Sequence, residues 1–269
     1  MMLGVVKNWI KLHPALKHTA LFATRLLSPL IFIKPGSLFG YVRFFRDLKE
    51  YKGRNGSDNQ TNVLDWYPCL HDRTATHHID SHYFYQDIWA FKKVQHSGTV
   101  GHVDVGSRDI YVGMLTTATR VTFVDIRPLN IQGLDNYLYV EGSILSLPFS
   151  DGSVNSLSCL HVAEHIGLGR YGDPIDPAGT MKACSELARI LAPGGNLYFS
   201  VPIGRARVCF NAHRVFNASQ ILNYFSSLYL KEFSGVNDRG QFEIDRSLGS
   251  LDQEDYGLGL FWFTKPHST

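Results

Sequence analysis

The stretch from Gly98 to Asp125 constrains the fold of this chain more than any other part of the sequence. A short run rich in β-branched residues ends at Gly106, a second apolar run ends at Asp125, and residues 109–119 between them suit a helix. A strand, a glycine turn, a helix and a strand tipped by a carboxylate form half of a nucleoside-binding βαβ unit, in which the acid accepts hydrogen bonds from ribose hydroxyls. The gap of 21 residues from Asp104 to Asp125 matches that geometry.

The turn after the first strand has fewer glycines than a dinucleotide site requires. The dinucleotide fingerprint is G-x-G-x-x-G, but here Arg108 and Ile110 stand where glycines would follow Gly106. Backbone amides alone are then poorly placed to hold a pyrophosphate. A nucleoside without phosphates demands less of the loop, which favours S-adenosylmethionine over a nicotinamide cofactor. The alternative is that Asp104 only caps a turn and Asp125 only solvates a strand end.

The composition is that of a globular protein with enough apolar material for a substantial core. The chain has 269 residues, of which 44% are hydrophobic and 19% charged, so it is long enough for one large domain or one domain with an extension. Its four cysteines are widely spaced, and none belongs to a CxxC pair. This spacing favours a reducing compartment, so a cytoplasmic protein is expected, with membrane association left open by the amino-terminal arm.

Residues 1–54 form an arm whose charge differs from that of the rest of the chain. They contain ten Lys or Arg residues and two acidic residues, whereas the remainder has 16 basic and 22 acidic residues. The uncharged runs of the arm fall short of the ~20 apolar residues that a spanning helix needs. A basic helix with an apolar face can lie on an anionic membrane surface, or it can pack on the body of the protein. A polar linker ending at Asn62 predicts a helical extension over residues 1–62 and an α/β domain over residues 63–269.

Strand and helix patterns alternate along the second part of the chain. Predicted helices cover 178–191 and 217–228, and a further helix begins at Ser81. After the two strands that end near Gly106 and at Asp125, five more strands are predicted, over 137–141, 154–160, 196–201, 229–236 and 257–264. Alternation of this kind is typical of a parallel sheet covered on both faces by helices. We therefore expect a Rossmann-like, seven-stranded, mostly parallel sheet, with an N-terminal helical extension.

Two segments resemble those of class I S-adenosylmethionine-dependent methyltransferases. They are residues 147–154 with His161–His165, and residues 186–197, and the resemblance extends over about residues 83–265. Residues 167–174 and 210–214 resemble a narrower group, domain of unknown function 268, whose members are regarded as methyltransferase-like. The resemblance implies a methyl donor bound at the carboxyl ends of the first strands.

Carried onto this sequence, the resemblance implies particular donor contacts. Asp104 and Gly106 would lie beside the methionine portion of S-adenosylmethionine, and Asp125 would hold the ribose hydroxyls. Where the family commonly has an acid that reads the adenine amino group, this chain has Ser143. The donor set is completed by Ser107 and His161.

Two histidines and a glutamate are the predicted catalytic residues. Methyl transfer from a sulfonium depends mainly on alignment in a desolvated site, but a hydroxyl acceptor also needs a base. His165 and His213 are the candidate bases, with Glu164 as an orienting group. The expected acceptor is a saccharide or another small hydroxylated molecule. The alternative for each histidine is that it only braces its loop.

The residues His161–His165 also spell H-x-x-E-H, a zinc hydrolase pattern. That pattern needs all five residues in one continuous helix, and Gly167 and Gly169 follow too closely to leave room for one. A second alternative to an active methyltransferase is a degenerate, non-catalytic relative that binds a nucleoside or a partner.

Further polar residues of the predicted loops are candidates for acceptor contacts. Asp173 and Asp176 can bind a cation or substrate hydroxyls, although turn formation explains them equally well. An acidic acceptor could be bound by arginines, here Arg170, Arg205, Arg207 and Arg214. The net acidic body shows no nucleic-acid-binding module, so nucleic acid is not an expected partner.

Overall fold

The computed structural model describes residues 37–54, 61–77 and 79–267. The chain divides into two compact units, one ending at His78 and the other beginning at Ile79. The domain boundary predicted at residues 62/63 stays a prediction, as does the part of the arm before Ser37, which lies outside the described residues. Within the described part of the chain, no helix is both long and apolar enough to cross a membrane.

The described part of the first unit contains one long helix and a short turn of 3₁₀ helix. Helix α1 is Ser37–Arg54, and the 3₁₀ turn is Val63–Asp65. A hydrogen bond of 2.7 Å from Arg43 to the carbonyl of Leu70 connects the helix to the segment after the turn.

The second unit is built around one mostly parallel sheet. Its strands are β1 (Gly101–Val105), β2 (Arg120–Asp125), β3 (Tyr137–Glu141), β4 (Val154–Leu160), β5 (Leu191–Ile203), β8 (Tyr229–Val236), β9 (Phe242–Glu243) and β10 (Gly257–Thr264), and a separate hairpin contains β6 (Arg207–Cys209) and β7 (His213–Val215). The order across the sheet is β3-β2-β1-β4-β5-β10-β8-β9. β10 is antiparallel to both its neighbours, and β1 to β5 are parallel.

Helices cover both faces of this sheet. They are α2 (Ser81–Ser97), α3 (Asp109–Leu115), α4 (Gly179–Ile190) and α5 (Ala218–Tyr224). On one face, buried side chains of α2 and α3 such as Trp89 and Tyr111 pack against Tyr198 of the sheet. On the other, residues of α4 and α5 such as Leu187 and Ile221 join a second core cluster. Burial of these apolar faces is the main stabilising contribution that the sequence pattern predicts.

The Rossmann-like fold expected from the sequence is confirmed, with local differences. The sheet has an eighth strand, the two-residue β9, at its edge. The hairpin β6–β7 was not predicted, and β5 begins at Leu191 instead of Asn196. The helices α3 and α5 are shorter than their predicted ranges.

The strand order creates a crevice at the carboxyl ends of β1, β2 and β4. The chain leaves β1 toward β2 on one side and returns to β4 on the other. In open α/β sheets this switch point is where ligands bind. The predicted site residues follow these three strands.

Candidate functional site

Gly106 forms the turn at the carboxyl end of β1. Its φ of +72° lies in the left-handed region that favours glycine. A Cβ atom placed on Gly106 would lie 3.1 Å from Cγ1 of Val162 and 3.6 Å from Oδ2 of Asp125. The turn is fixed by a 2.9 Å hydrogen bond from the Gly106 amide to the carbonyl of Val124. The backbone here is therefore bare and close to the acid of β2.

Asp104 is not among the residues that line the cleft, and its expected contact with the methyl donor stays a prediction. Its side chain is fully buried beneath the turn. One carboxylate oxygen accepts from the Ser107 amide at 3.0 Å, and the other accepts from the Ser158 hydroxyl. Burial raises the pKa of Asp104 to about 7, although the hydrogen bonds from Ser158 and Ser107 oppose that shift.

Ser107 is likewise buried and braces the turn from below. Its hydroxyl accepts from the Leu160 amide at 3.0 Å, so its oxygen joins the end of β4 to the loop after β1. Asp104 and Ser107 thus position the turn from below, where both are buried, and their contact with a donor stays a prediction.

Four of the predicted donor residues line one cleft, namely Gly106, Asp125, Ser143 and His161. Gly106, Asp125 and Ser143 surround a cavity of about 110 Å³, together with His161 and His165. Asp125 is at the tip of β2, where its Oδ1 accepts from the Arg127 amide at 2.8 Å. Its Oδ2 is the oxygen that faces Gly106. The cleft therefore has an acid, a bare turn and a serine hydroxyl at neighbouring strand ends.

His161 follows β4 with an unusual backbone conformation. Its φ of +56° is uncommon for a residue other than glycine, and strain of this kind is concentrated at functional sites. Nδ1 of His161 lies 2.7 Å from Oε1 of Glu164, and the two side chains are 5% and 1% exposed. Because a carboxylate can only accept, we assign the Nδ1 proton to His161 and an unprotonated Nε2 to its neutral form.

Two atoms of this pair lack partners. Nε2 of His161 and Oε2 of Glu164 are buried, and neither has a hydrogen-bond partner among the described residues. A buried polar atom without a partner costs about 1–3 kcal/mol, so such atoms usually mark a place for a ligand or an ordered water. The imidazole of His161 is covered by the rings of His82 and Tyr83, at centroid distances of 6.0 and 5.3 Å.

The two predicted bases have different surroundings. His165 lines the cleft, and its Nδ1 lies 2.6 Å from the carbonyl of Ala212, while its Nε2 is 3.7 Å from Oε1 of Glu164. His213 is on β7, and its ring lies 5.0 Å from that of Tyr256. Burial lowers the pKa of His213. Glu164 thus connects His161 to His165, and the structure brings both beside the cleft.

The residues His161–His165 do not form the helix that the zinc hydrolase pattern requires. Only Ala163–His165 are helical, as one 3₁₀ turn, and the left-handed His161 lies outside it. Across the described ranges, no group of three or more His, Cys, Asp or Glu side chains could hold a metal ion.

Arg127 and Tyr171 both line the cleft and contact each other. The guanidinium of Arg127, after β2, lies 4.4 Å from the ring centroid of Tyr171, in the loop after β4, and the guanidinium of Arg170 lies 5.0 Å from the same ring. Ligand pockets usually enclose about 300–1,000 Å³. The cavity of about 110 Å³ is smaller than this, and Arg127 and Tyr171 are two of the residues that line it.

The other polar candidates are used within the protein. Asp173 accepts from the backbone amide of Gly167 at 2.6 Å, and Asp176 accepts from the Ala178 amide and pairs with Lys182. Arg214 is buried and donates to the carbonyl of Ile166 at 2.5 Å. The remaining two predicted acceptor residues, Arg205 and Arg207, pair with Asp255. These contacts favour the turn-forming interpretation of the aspartates.

A larger groove of about 530 Å³ lies at the opposite end of the sheet, between α2 and the strands β8 and β10. Its polar groups bind one another. Glu232 accepts from Trp89 at 2.8 Å and from Lys93 at 2.6 Å, and Lys93 also lies over the ring of Trp262. The groove is larger than the cleft, but it lacks both the switch-point position and the unpartnered buried groups.

Sequence reasoning missed the pairing of His161 with Glu164 as a possible acid–base unit. The spacing of three residues alone could not reveal it, because His161 lies outside the 3₁₀ turn and has a left-handed backbone conformation that no local pattern predicts. It also missed Arg127 and Tyr171 as a pair, since no local pattern relates side chains 44 positions apart.

Comparison with sequence families gives one match. The profile described as "Caenorhabditis protein of unknown function, DUF268" matches residues 117–253. This range is just over half of the chain, and it contains the strand ends and loops that form most of the cleft. No curated protein matches the chain.

Solved structures with the same fold include several methyltransferases. The N-methyltransferase NodS from Bradyrhizobium japonicum WM9, in complex with S-adenosyl-l-homocysteine, is 17% identical with a TM-score of 0.50, over 74% of this chain and 92% of that one. The YcgJ protein from Bacillus subtilis is 14% identical with a TM-score of 0.50, over 69% and 100% of the two chains. A protein from Galdieria sulphuraria, provisionally described as a sarcosine dimethylglycine methyltransferase, is 14% identical with a TM-score of 0.51, over 68% and 86%. At these identities the likeness establishes the fold.

Proposed function

We propose that this chain, which belongs to the DUF268 family and has the fold of class I methyltransferases, is an S-adenosylmethionine-dependent methyltransferase. The observation that carries the proposal is the meeting of Gly106 and Asp125 at the switch point of the sheet. Oδ2 of Asp125 lies 3.6 Å from where a Cβ of Gly106 would be. A bare turn beside an acid at the tip of the second strand suits a nucleoside, because the acid can accept from ribose hydroxyls.

The residues present fit the donor without a phosphate-binding loop. Asp125 would hold the ribose hydroxyls, and Ser143 would stand near the adenine. Gly106 would leave room beside the methionine portion, supported from below by Asp104 and Ser107. When bound, S-adenosylmethionine supplies a methyl group activated by a sulfonium. The residues of the cleft bind and orient the reactants and exclude water.

We infer that His161 is the base for a hydroxyl acceptor, with Glu164 holding its Nδ1 proton. The unpartnered Nε2 of His161 supports this role, because it is the nitrogen left able to accept a proton. His165, also beside Glu164, remains a candidate base, and so does His213. The proposed acceptor is a small hydroxylated molecule such as a saccharide, since a base is needed where a hydroxyl is methylated.

The cellular setting belongs to the same proposal. The four cysteines are free thiols, and Cys159 and Cys184 are buried. Free thiols are typical of a reducing compartment, which supports a cytoplasmic enzyme.

Calorimetric titration of the 269-residue chain with S-adenosylhomocysteine tests the donor site. We expect one site per chain, with affinity reduced at least tenfold by Asp125→Ala, which removes the oxygen proposed to contact the ribose. Asp135→Ala is the matched control, because Asp135 is an exposed aspartate in the loop before β3. Methyl transfer to a panel of monosaccharides and disaccharides would then be measured with S-adenosylmethionine.

The titration also separates the enzyme from a relative that binds only a partner, whereas a non-catalytic relative that binds a nucleoside is separated from it by the methyl-transfer assay. A degenerate member of the family that binds only a partner would show no heat with S-adenosylhomocysteine or S-adenosylmethionine, even at millimolar concentration. That result would overturn the proposed function. Donor binding that Asp125→Ala leaves unchanged would instead remove the assignment of the ribose contact.

A further inference from the structure

The outward side of α1 exposes a cluster of large apolar side chains. Leu38, Phe39, Val42 and Phe45 are 73%, 80%, 65% and 46% exposed. Their spacing places them on one side of a helix, since residues three and four apart are neighbours on its surface. Scattered apolar residues on a surface are ordinary, but a contiguous group of this size marks an interaction site.

The apolar surface continues onto the segment after the helix. The ring of Trp66 lies 6.3 Å from that of Phe44 and 6.1 Å from that of Phe45. These contacts hold the 3₁₀ turn beside α1, and its residues Val63 and Leu64 are 47% and 38% exposed. The apolar patch therefore combines helix and turn in one unit of the protein.

The second half of α1 is basic on the same side as the apolar cluster. Arg46, Lys49 and Lys52 continue the spacing that begins with Leu38 and Val42. The whole helix has five basic and two acidic residues, and its last turn contains Lys52 and Arg54. Lys52 also lies 5.0 Å from the ring centroid of Trp66, so a cation borders the apolar patch.

We propose that the α1 face, defined as the outward side chains of Leu38, Phe39, Val42, Phe45, Arg46 and Lys49, binds an anionic membrane surface. Apolar side chains would enter the boundary between headgroups and acyl chains, and the basic side chains would pair with anionic headgroups. Charge complementarity selects this occupant. The face is basic, whereas residues 55–269 have 16 basic and 22 acidic residues, so attraction to anionic lipid is concentrated in this part of the chain.

Sedimentation of the 269-residue chain with vesicles tests the proposal. Vesicles of phosphatidylcholine alone are compared with vesicles that also contain phosphatidylserine, at low and at roughly physiological ionic strength. We expect binding to the anionic vesicles only, and we expect salt to weaken it. Each basic residue near such a surface contributes about 1 kcal/mol to the free energy of membrane binding. Arg46→Glu with Lys49→Glu should therefore lower the affinity for anionic vesicles at least tenfold.

Two matched variants make the test specific. Phe39→Ser with Val42→Ser removes exposed apolar side chains without opening the core, and should reduce vesicle binding while leaving the circular dichroism spectrum unchanged. Lys92→Glu with Arg239→Glu makes the same charge change at exposed positions of the second unit, and should retain most binding.

Three results would overturn the inference. They are no sedimentation with anionic vesicles, equal sedimentation with both vesicle types, and self-association that Phe39→Ser with Val42→Ser abolishes. The last would assign the face to a second copy of the chain. None depends on methyl transfer, so the inference and the proposed function can fail separately.

Discussion

Gly106 is the residue at which an added side chain would most disturb the proposed donor site. Gly106→Ala places a Cβ in a left-handed conformation and 3.1 Å from Val162. We expect the free energy of unfolding to fall by about 1 kcal/mol. We also expect the affinity for S-adenosylhomocysteine to fall at least tenfold, because the methyl group would project toward Asp125.

Gly98→Ala is the control that separates strain from crowding. Gly98 ends α2 with a φ of +62°, but a Cβ there meets nothing within 4 Å. It should therefore lower stability by a similar amount and leave donor affinity unchanged. Equal losses of affinity in both variants would mean that general destabilisation, and not contact at the turn, controls binding.

His161 is the residue whose replacement should separate donor binding from methyl transfer. His161→Asn tolerates the left-handed backbone but offers no imidazole nitrogen. We expect affinity for S-adenosylhomocysteine to change less than threefold. Turnover with a saccharide of the panel that the wild type methylates should fall about 10²–10⁴-fold, as for loss of a general base. The tautomer can be observed directly, since ¹⁵N spectra of labelled imidazoles should show His161 protonated on Nδ1.

His213→Asn provides the comparison for this measurement. The ring of His213 contacts Tyr256 and does not line the cleft, so its loss should reduce turnover less than tenfold. If His213→Asn and not His161→Asn stops turnover, the base is His213, one of the two bases predicted from the sequence.

At the scale of elements, strands with uninterrupted apolar or alternating patterns could be read from the sequence to the residue. β2, β3, β4, β8 and β10 begin and end where they were predicted. Each is a short apolar run bounded by turn residues, so local information is sufficient. The order of strands and helices then limits the fold to few topologies.

Elements that depend on distant pairing were not predictable in this way. The segment Ala192–Gly195 was expected only to end a helix, yet it belongs to β5. Gly194 donates to the carbonyl of Lys265 at 2.8 Å, and Leu191 pairs with Val154 of β4. Such partners lie far away in sequence, so tertiary pairing overrides the local turn signal.

The same limit explains which site residues were found. The sequence pattern of strands and helices predicts that five site residues follow strand ends, and all five line the cleft: Gly106, Asp125, Ser143, His161 and His165. It could not show that Asp104 points beneath the turn, because that depends on the hydroxyl of Ser158 on a neighbouring strand, 54 residues away.

The loops of Arg127 and Tyr171, which line the cleft, should control how fast the donor enters. Arg127 and Arg170 both lie against the ring of Tyr171. Two exposed cation–π contacts together contribute about 1–2 kcal/mol of interaction free energy. Tyr171→Ala should therefore increase the association rate of S-adenosylhomocysteine by up to about thirtyfold, measured by stopped-flow fluorescence. Tyr171→Phe keeps the ring and should behave as the wild type. An unchanged rate in Tyr171→Ala would show that entry does not require this contact to open.

For the molecule as a whole, the two ends of the sheet have different roles. At the carboxyl end, the cleft retains buried polar atoms without partners, on His161 and Glu164. At the amino end, the groove beside α2 has its polar groups bound within the protein, as Glu232 shows. Ligand binding is therefore expected at the carboxyl end, and the groove is better explained as packing between helix and sheet.

A buried polar chain through the centre of the sheet connects these two ends. His102 lies 2.7 Å from the hydroxyl of Ser156 and 2.8 Å from that of Ser158, and Ser158 donates to Asp104. Burial lowers the pKa of His102 to about 3, so its ring is neutral. With Asp104 ionised, a consistent assignment has Ser156 donating to Nδ1 of His102, and Nε2 donating to Ser158.

The two titratable side chains of this buried polar network, Asp104 and His102, should make the free energy of unfolding depend on pH. Burial raises the pKa of Asp104 from 3.8 to about 7, so between those values the folded protein keeps a proton that the unfolded chain has lost. The contribution of Asp104 to the free energy of unfolding therefore falls as pH rises from about 4 to about 7, by at most about 1.4 kcal/mol per pH unit. His102 acts in the opposite direction, since its lowered pKa makes it lose stability as pH falls from 6.5 toward 3. The raw curve of the wild type thus combines two opposing effects.

Asp104→Asn isolates the contribution of the carboxyl group. The free energy of unfolding from urea titrations is compared between variant and wild type across this range of pH. We expect the variant to gain stability relative to the wild type as pH rises, with no further relative change above about pH 7, where Asp104 has lost its proton. Asp135→Asn, at an exposed position, should give a curve parallel to the wild type. Parallel curves for Asp104→Asn as well would mean that its carboxyl group titrates alike in folded and unfolded chains, and that the sheet centre carries no such proton.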